Sequence, residues 1–153
     1  MILDLKKYLQ ENHFVEEDGK FLFVEERSNN QDVINQPAGH IEQGETITEA
    51  AIRETLEESG WLVKPEYLVG IYTYTAPYNG LTYYRFCFAA SKIKFIENHP
   101  IDSDIHGQCW LSKQEFEDKK QSHRGPLVAQ CLQDYIDGKK FPLSLIYEHP
   151  LGK

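Results

Sequence analysis

Apolar and polar positions along this chain change spacing from strand-like to helix-like and back. Residues 20–25 (KFLFVE) follow the turn pair Asp18-Gly19 and predict a strand. Residues 33–41 (VINQPAGHI) predict an extended segment interrupted by Pro37 and Gly39. The strongest helix signal covers residues 46–59 (TITEAAIRETLEES), where Thr46 and Glu49 match a capping box and Gly60 a helix stop. Residues 67–75 and 82–90 are aromatic and β-branched and flank Pro77-Tyr78-Asn79-Gly80, which predicts a long hairpin. Residues 107–111 predict a short strand and residues 113–120 a short helix. A further helix is predicted over residues 126–137, with Pro126 at its start and Gly138 after its end. The segment Lys6 to His13 is polar and reads equally as a helix or a poor strand.

Interspersed strands and helices predict an α/β (α+β) protein with helices packed on a mixed sheet. No repeat, low-complexity tract or linker breaks the pattern, so residues 1–153 are expected to form one domain. At that length a single core buries roughly two thirds of the unfolded surface.

Charge narrows the partners. Asp and Glu number 24 against 16 Lys and Arg, a net charge of −8. Basic residues occur only as short pairs such as Lys119-Lys120 and Lys139-Lys140, which disfavours a nucleic-acid duplex. A polyphosphate partner would need the local field reversed, and a bound divalent cation is the usual device. Cys87, Cys109 and Cys131 are widely spaced and odd in number, which fits buried free thiols and a reducing compartment. The first residues lack a signal-peptide apolar run, and no stretch is long enough to span a bilayer. A cytoplasmic protein with no membrane partner is expected.

Candidate chemistry sits on the predicted helix. At 100° per residue, with Glu54 at zero, Glu57 falls at 300° and Glu58 at 40°, so three carboxylates share about 100° of arc. Ala50 and Ala51 lie on the same face. Ile52, Thr55, Leu56 and Ser59 lie opposite and, being bulkier, predict the core face there. The acidic face is either a solvated surface or a site for a hard cation. In bulk water a close like-charge pair costs about 1 kcal/mol, partly buried roughly 4 kcal/mol, and Mg²⁺ or Mn²⁺ would reverse the sign.

Residues 39–61 (GHIEQGETITEAAIRETLEESGW) decide between these. They resemble the Nudix box, G-x5-E-x7-R-E-U-x-E-E-x-G-U, with U a bulky apolar residue. Gly39, Glu45, Arg53, Glu54, Glu57, Glu58 and Gly60 fill the fixed positions and Trp61 the last apolar one. Chance agreement at one site is about one in 10⁹ at average residue usage. Thr55 departs from the usual aliphatic residue. The resemblance implies a Nudix-type α/β/α sandwich with the box as a loop-helix-loop. It also implies roles. Glu54, Glu57, Glu58 and the backbone carbonyl of Ala38 would hold a divalent metal, Mg²⁺ or Mn²⁺. Arg53 would orient the carboxylates, Glu45 would fix the loop to the helix, and Gly39, Gly44 and Gly60 would allow the turns. A further carboxylate commonly comes from a later loop. Asp102 and Asp104 stand ahead of Trp110, and Asp104 is favoured as an added ligand or general base. No Ser-His-Asp or Cys-His arrangement suggests a covalent nucleophile.

NQPAGHIE (35–42), APYNG (76–80), YRFCF (84–88), DSDI (102–105) and RGPLV…YIDGKKFPLSLI (124–146) resemble the NudJ-type phosphatases of the Nudix superfamily. The similarity implies hydrolysis of phosphoanhydride bonds in small nucleoside di- and triphosphates or thiamine-pathway diphosphates. The alternatives are ADP-ribose, dinucleoside polyphosphates or RNA 5′ ends, and, in another class, a non-catalytic nucleotide sensor. Tyr78 and Tyr84 are candidates to stack on a substrate ring, and Arg85 and Arg124 to bind phosphate. The protein is expected to be a monomer or homodimer. Residues 6–13 depart from the apolar first strand of such proteins, a departure expected to affect selectivity and to leave the metal box untouched.

Overall fold

The computed structural model describes residues 8–150. Its elements are β1 (Leu9–Glu17), β2 (Lys20–Ser28), β3 (Gln31–Asn35), β4 (Ala38–His40), α1 (Ile47–Ser59), β5 (Trp61–Thr75) and β6 (Thr82–Phe95). There follow β7 (Ile105–Leu111), α2 (Lys113–Asp118), a 3-10 turn (Lys120–Ser122), α3 (Pro126–Ile136) and a second 3-10 turn (Leu143–Leu145). The strands form a sheet of order β3-β2-β1-β6-β5, with β4 also paired to β1 and β7 to β2. The β1–β6 pair is parallel and the others antiparallel, so the sheet is mixed. Asp18 and Gly19, at φ 51° and 76°, turn β1 into β2.

Strand alternation divides the core between two faces. Phe14, Phe23, Val69, Cys87 and Ala89 pack with Phe116 of α2 and Val128, Cys131 and Leu132 of α3. On the opposite face Leu68 and Phe88 pack with Ile47, Ala50 and Ala51 of α1, and Leu143 and Ile146 cover them. The architecture is the expected α/β/α sandwich. Caps follow the sequence: Thr46 and Glu49 form the capping box of α1, and Gly60 at φ 78° closes it with its N–H on the Leu56 carbonyl at 2.9 Å. The β5–β6 hairpin is longer than predicted because register shifts at Leu62/Val63, Pro65/Tyr67 and Leu68/Gly70 carry it past Pro65. Among the described residues no helix is long and apolar enough to cross a membrane.

Three expectations change: one left open between two forms is resolved, and two are overturned. The polar segment ending at His13 is a strand from Leu9 on (Lys6 and Lys7 lie outside the described residues), and it sits inside the sheet. Glu11, Asn12, His13, Phe14 and Val15 are all buried. Both faces of β1 are covered, so no polar-out alternation is left to read. Its polar side chains meet others instead: Asn12 Nδ2 donates to Gln36 Oε1 at 2.7 Å, and the His13 ring meets the Thr55 hydroxyl.

The second is the core face of α1. The buried residues are Ile47, Ala50, Ala51, Thr55, Glu58 and Ser59, while Ile52 and Leu56 are half-buried. Thr55 and Ser59 are buried as expected, but Ala50 and Ala51 go in with them in place of Ile52 and Leu56, and so does Glu58. Thr55 donates to the Ala51 carbonyl at 2.9 Å and is left to accept from His13 Nε2. The residue that departs from the box and the residue that departs in β1 are therefore partners.

The third concerns the box itself. β1 does touch it: Gln10, Glu11 and Asn12 pair with His40, Gly39 and Ala38.

Candidate active site

The loop-helix-loop of residues 39–61 is assembled around one guanidinium. Arg53 has five N–H donors and all five are used. Nε and Nη2 bind Glu45 at 3.0 and 2.7 Å, Nη1 binds Glu54 and Glu57 at 2.7 and 3.1 Å, and Nη2 also binds the His40 carbonyl at 3.0 Å. One planar fork thus ties the loop (Glu45, His40) to two carboxylates of the helix. Glu45 closes the loop further by accepting the Glu42 N–H at 2.8 Å. Gly44, at φ 86°, makes the turn between them.

Gly39 is needed for space. A Cβ there would lie 2.2 Å from Glu54 Cδ and 2.4 Å from Oε1. The Glu54 carboxylate fills the volume a side chain would take, against the backbone of β4. The next backbone N–H, that of Ala38, donates to Glu58 Oε1 at 2.7 Å. Strand β4 therefore holds two box carboxylates, one by vacancy and one by hydrogen bond.

Oxygens of Glu54, Glu57 and Asp102 all lie within 4.8 Å of one another. Asp102 is drawn in by its backbone, whose N–H donates to the Glu57 carbonyl at the end of α1 at 3.0 Å. The sequence favoured Asp104, but the structure brings Asp102 to the cluster, and Asp104 lines the same cavity. That cavity is about 660 Å³ and is lined by Ala38, Gly39, Glu54, Glu58, Arg85 and Arg124, among others. Tyr78, Tyr74 and Tyr83 line it and Tyr84 does not, since alternation along β6 turns Tyr84 to the other side from Tyr83 and Arg85. Arg85 donates from Nε and Nη2 to Gln10 Oε1 at 3.3 and 2.9 Å, and Arg124 Nη1 binds buried Glu26 at 2.6 Å. Gln10, Glu11 and Glu26 were not singled out from sequence. No spacing signal marks them, because they enter through sheet pairing.

The field in the cavity is negative: six carboxylates (Glu26, Glu42, Glu54, Glu58, Asp102, Asp104) face two guanidiniums. Burial pushes the Glu58 carboxyl up to about 9 against the pull of the Ala38 N–H, with Glu26, Glu54 and Asp102 adding to the rise. Burial likewise pushes Glu54 up to about 7, opposed by Arg53 and assisted by Glu57 and Asp102. Carboxylates that resist ionisation together, all hard oxygen donors, fit a divalent cation.

The carboxylate cluster on a loop-helix-loop against a mixed sheet, taken with the family match and the relatives that follow, places the protein among hydrolases of phosphorus-containing anhydrides. The chain belongs to the NUDIX domain family, whose match covers residues 13–131. It is similar to the phosphatase NudJ of Shigella boydii serotype 4 and of Escherichia coli strain K12. Identity to each is 39% over 132 residues, covering 86% of this chain and 85% of theirs. The structure of a NUDIX hydrolase from Nitrosomonas europaea superposes with a TM-score of 0.91 at 41% identity, over 94% of this chain and 98% of that one. Family members generally use divalent metals.

Proposed function

We propose that this enzyme hydrolyses phosphoanhydride bonds in small nucleoside di- and triphosphates or thiamine-pathway diphosphates, with Mg²⁺ or Mn²⁺. The carrying observation is the convergence of Glu54, Glu57 and Asp102 beside an acidic cavity, lined by Glu54 and Asp102, that also presents Arg85 and Arg124. An anionic diphosphate enters such a field only with a cation, and the two guanidiniums then offer bidentate contacts to its oxygens. A cation held by Glu54, Glu57, Glu58 and Asp102, beside the Ala38 backbone, would supply neutralisation of phosphoryl oxygens and acidification of a water. Arg53 keeps Glu54 and Glu57 in place for this and touches no substrate. The proton of the attacking water passes to a cavity carboxylate, a role we assign to Asp104, which lines the cavity. Tyr78 supplies a flat face at the outer end of the cavity. We take residues 1–153 as one domain, acting as a monomer or homodimer. The three free cysteines support a cytoplasmic location.

Product analysis tests the reading. Purified protein is incubated with GTP, GDP, thiamine diphosphate and ADP-ribose, with Mg²⁺ or with chelator. Chelator-sensitive phosphate from the first three is expected. AMP from ADP-ribose alone would instead assign ADP-ribose as the substrate, and tight binding without turnover would assign a sensor.

A further inference from the structure

Strand β1 carries a carboxylate that neither the box nor the cluster of Glu54, Glu57 and Asp102 includes. Glu11 is fully buried, at 0% exposure. Among the described residues neither of its carboxylate oxygens has a hydrogen-bond partner. Its Cα pairs with Gly39 across β4 and with Phe86 across β6. Paired residues point their side chains to one face of a sheet. The face is that of α1, because His13, two residues on, meets Thr55 of that helix. It is also the face on which the missing Cβ of Gly39 would run into Glu54. Glu11 therefore stands beside Glu54, under the helix. The charges that act on it most are those of Glu54 and Glu58, ahead of Arg53 and Arg85.

A buried carboxylate with no partner is expensive, and two others beside it make it more so. A fold has no use for such a group unless something pairs with it. The Arg53 guanidinium is already committed at every donor. Arg85 pairs with Gln10, one position from Glu11, so it turns to the other face of the sheet and donates to Gln10; the remaining partner of matching charge and hardness is a divalent cation. We infer that Glu11 is a further carboxylate of the divalent-cation centre, supplied by β1 from outside the box. The inference rests on the reading of the cavity as a cation site.

The test is Mn²⁺ binding by calorimetry, with thermal melting in chelator, on the wild type, Glu57→Gln, Glu11→Gln and Glu11→Val. Both Glu11 variants should bind Mn²⁺ about ten-fold or more weakly, on the scale of a lost supporting group. In chelator they should melt no lower than the wild type, since each replaces a buried carboxyl group that has no hydrogen-bond partner among the described residues. Wild-type affinity in both variants, with Glu57→Gln weakened, would overturn the role of Glu11 and leave the cation site standing. A Glu11→Gln protein that melts well below the wild type in chelator would assign the residue to the fold and also overturn it. A wild type that binds no Mn²⁺ would overturn the cation site and this inference with it.

Discussion

Gly39→Ala is the smallest change that should disable the site. The added methyl would start 2.2 Å from Glu54 Cδ and 2.7 Å from its Cγ, where ordinary contact begins at 3.4 Å. The side chain must therefore retreat by roughly 1.2 Å, a distance set by that contact limit. Retreat breaks the 2.7 Å bond to Arg53 and moves Glu54 out of the cluster with Glu57 and Asp102. Misplacement by about 1 Å costs on the order of 10²-fold in rate, about 2.7 kcal/mol of barrier. Backbone strain does not enter, because Gly39 lies in β4 outside the left-handed region. Stability should fall by at most about 2–3 kcal/mol, because overpacking costs about 1–3 kcal/mol and the stiffer unfolded chain returns about 0.4–1 kcal/mol. Steady-state phosphate release across a Mg²⁺ titration, beside a urea melt, measures both quantities. Wild-type turnover in a folded Gly39→Ala protein would refute the idea that Glu54 occupies this vacancy in the working enzyme.

Arg53→Lys keeps the charge but loses the fork; turnover should fall by about ten-fold or more, and full activity in the variant would show that Glu54 and Glu57 need no such clamp. Thr55→Val leaves the buried His13 ring without its partner and should cost about 1–3 kcal/mol in a denaturant melt, whereas an unchanged midpoint would mean the contact is dispensable. The cation-free protein should have an unusual pH dependence. Glu54 and Glu58 hold protons in the folded state up to about 7 and about 9, far above their ordinary 4.5, so the folded chain binds more protons than the unfolded one across that window. Its melting temperature in chelator should fall as pH rises from about 5.5 to about 8.5, and saturating Mg²⁺ should flatten the fall, because the cation replaces the protons. A chelated protein that gains stability over that range would contradict the burial of these carboxylates.

Much of this site was legible in the sequence, for physical reasons. Capping residues act locally, so Thr46, Glu49 and Gly60 bounded α1 correctly. Spacing on a helix fixes azimuth, so Glu54 and Glu57 fell on one side together. What periodicity could not supply was which azimuth faces the sheet. Bulk suggested the side of Ile52, Thr55, Leu56 and Ser59; Thr55 and Ser59 are buried, but the close approach of helix to strands selected Ala50 and Ala51 over Ile52 and Leu56, and took Glu58 inward. Loop residues were harder still. Asp102 and Asp104 are equivalent as letters, and only the backbone bond to Glu57 separates them. β1 was illegible because its polar residues are buried against polar partners. Asn12 is matched by Gln36 and His13 by Thr55, across separations that a single-sequence pattern does not connect.

The central claim is that the carboxylates converging on α1 serve cation-dependent cleavage of a phosphoanhydride. It is tested most directly by phosphate release from GDP, with Mg²⁺ and with chelator, for the wild type and for Glu57→Gln. Release by the wild type that chelator abolishes and that Glu57→Gln lowers by on the order of 10²-fold or more is the expected result. Equal release with and without chelator, or full activity in Glu57→Gln, would contradict it.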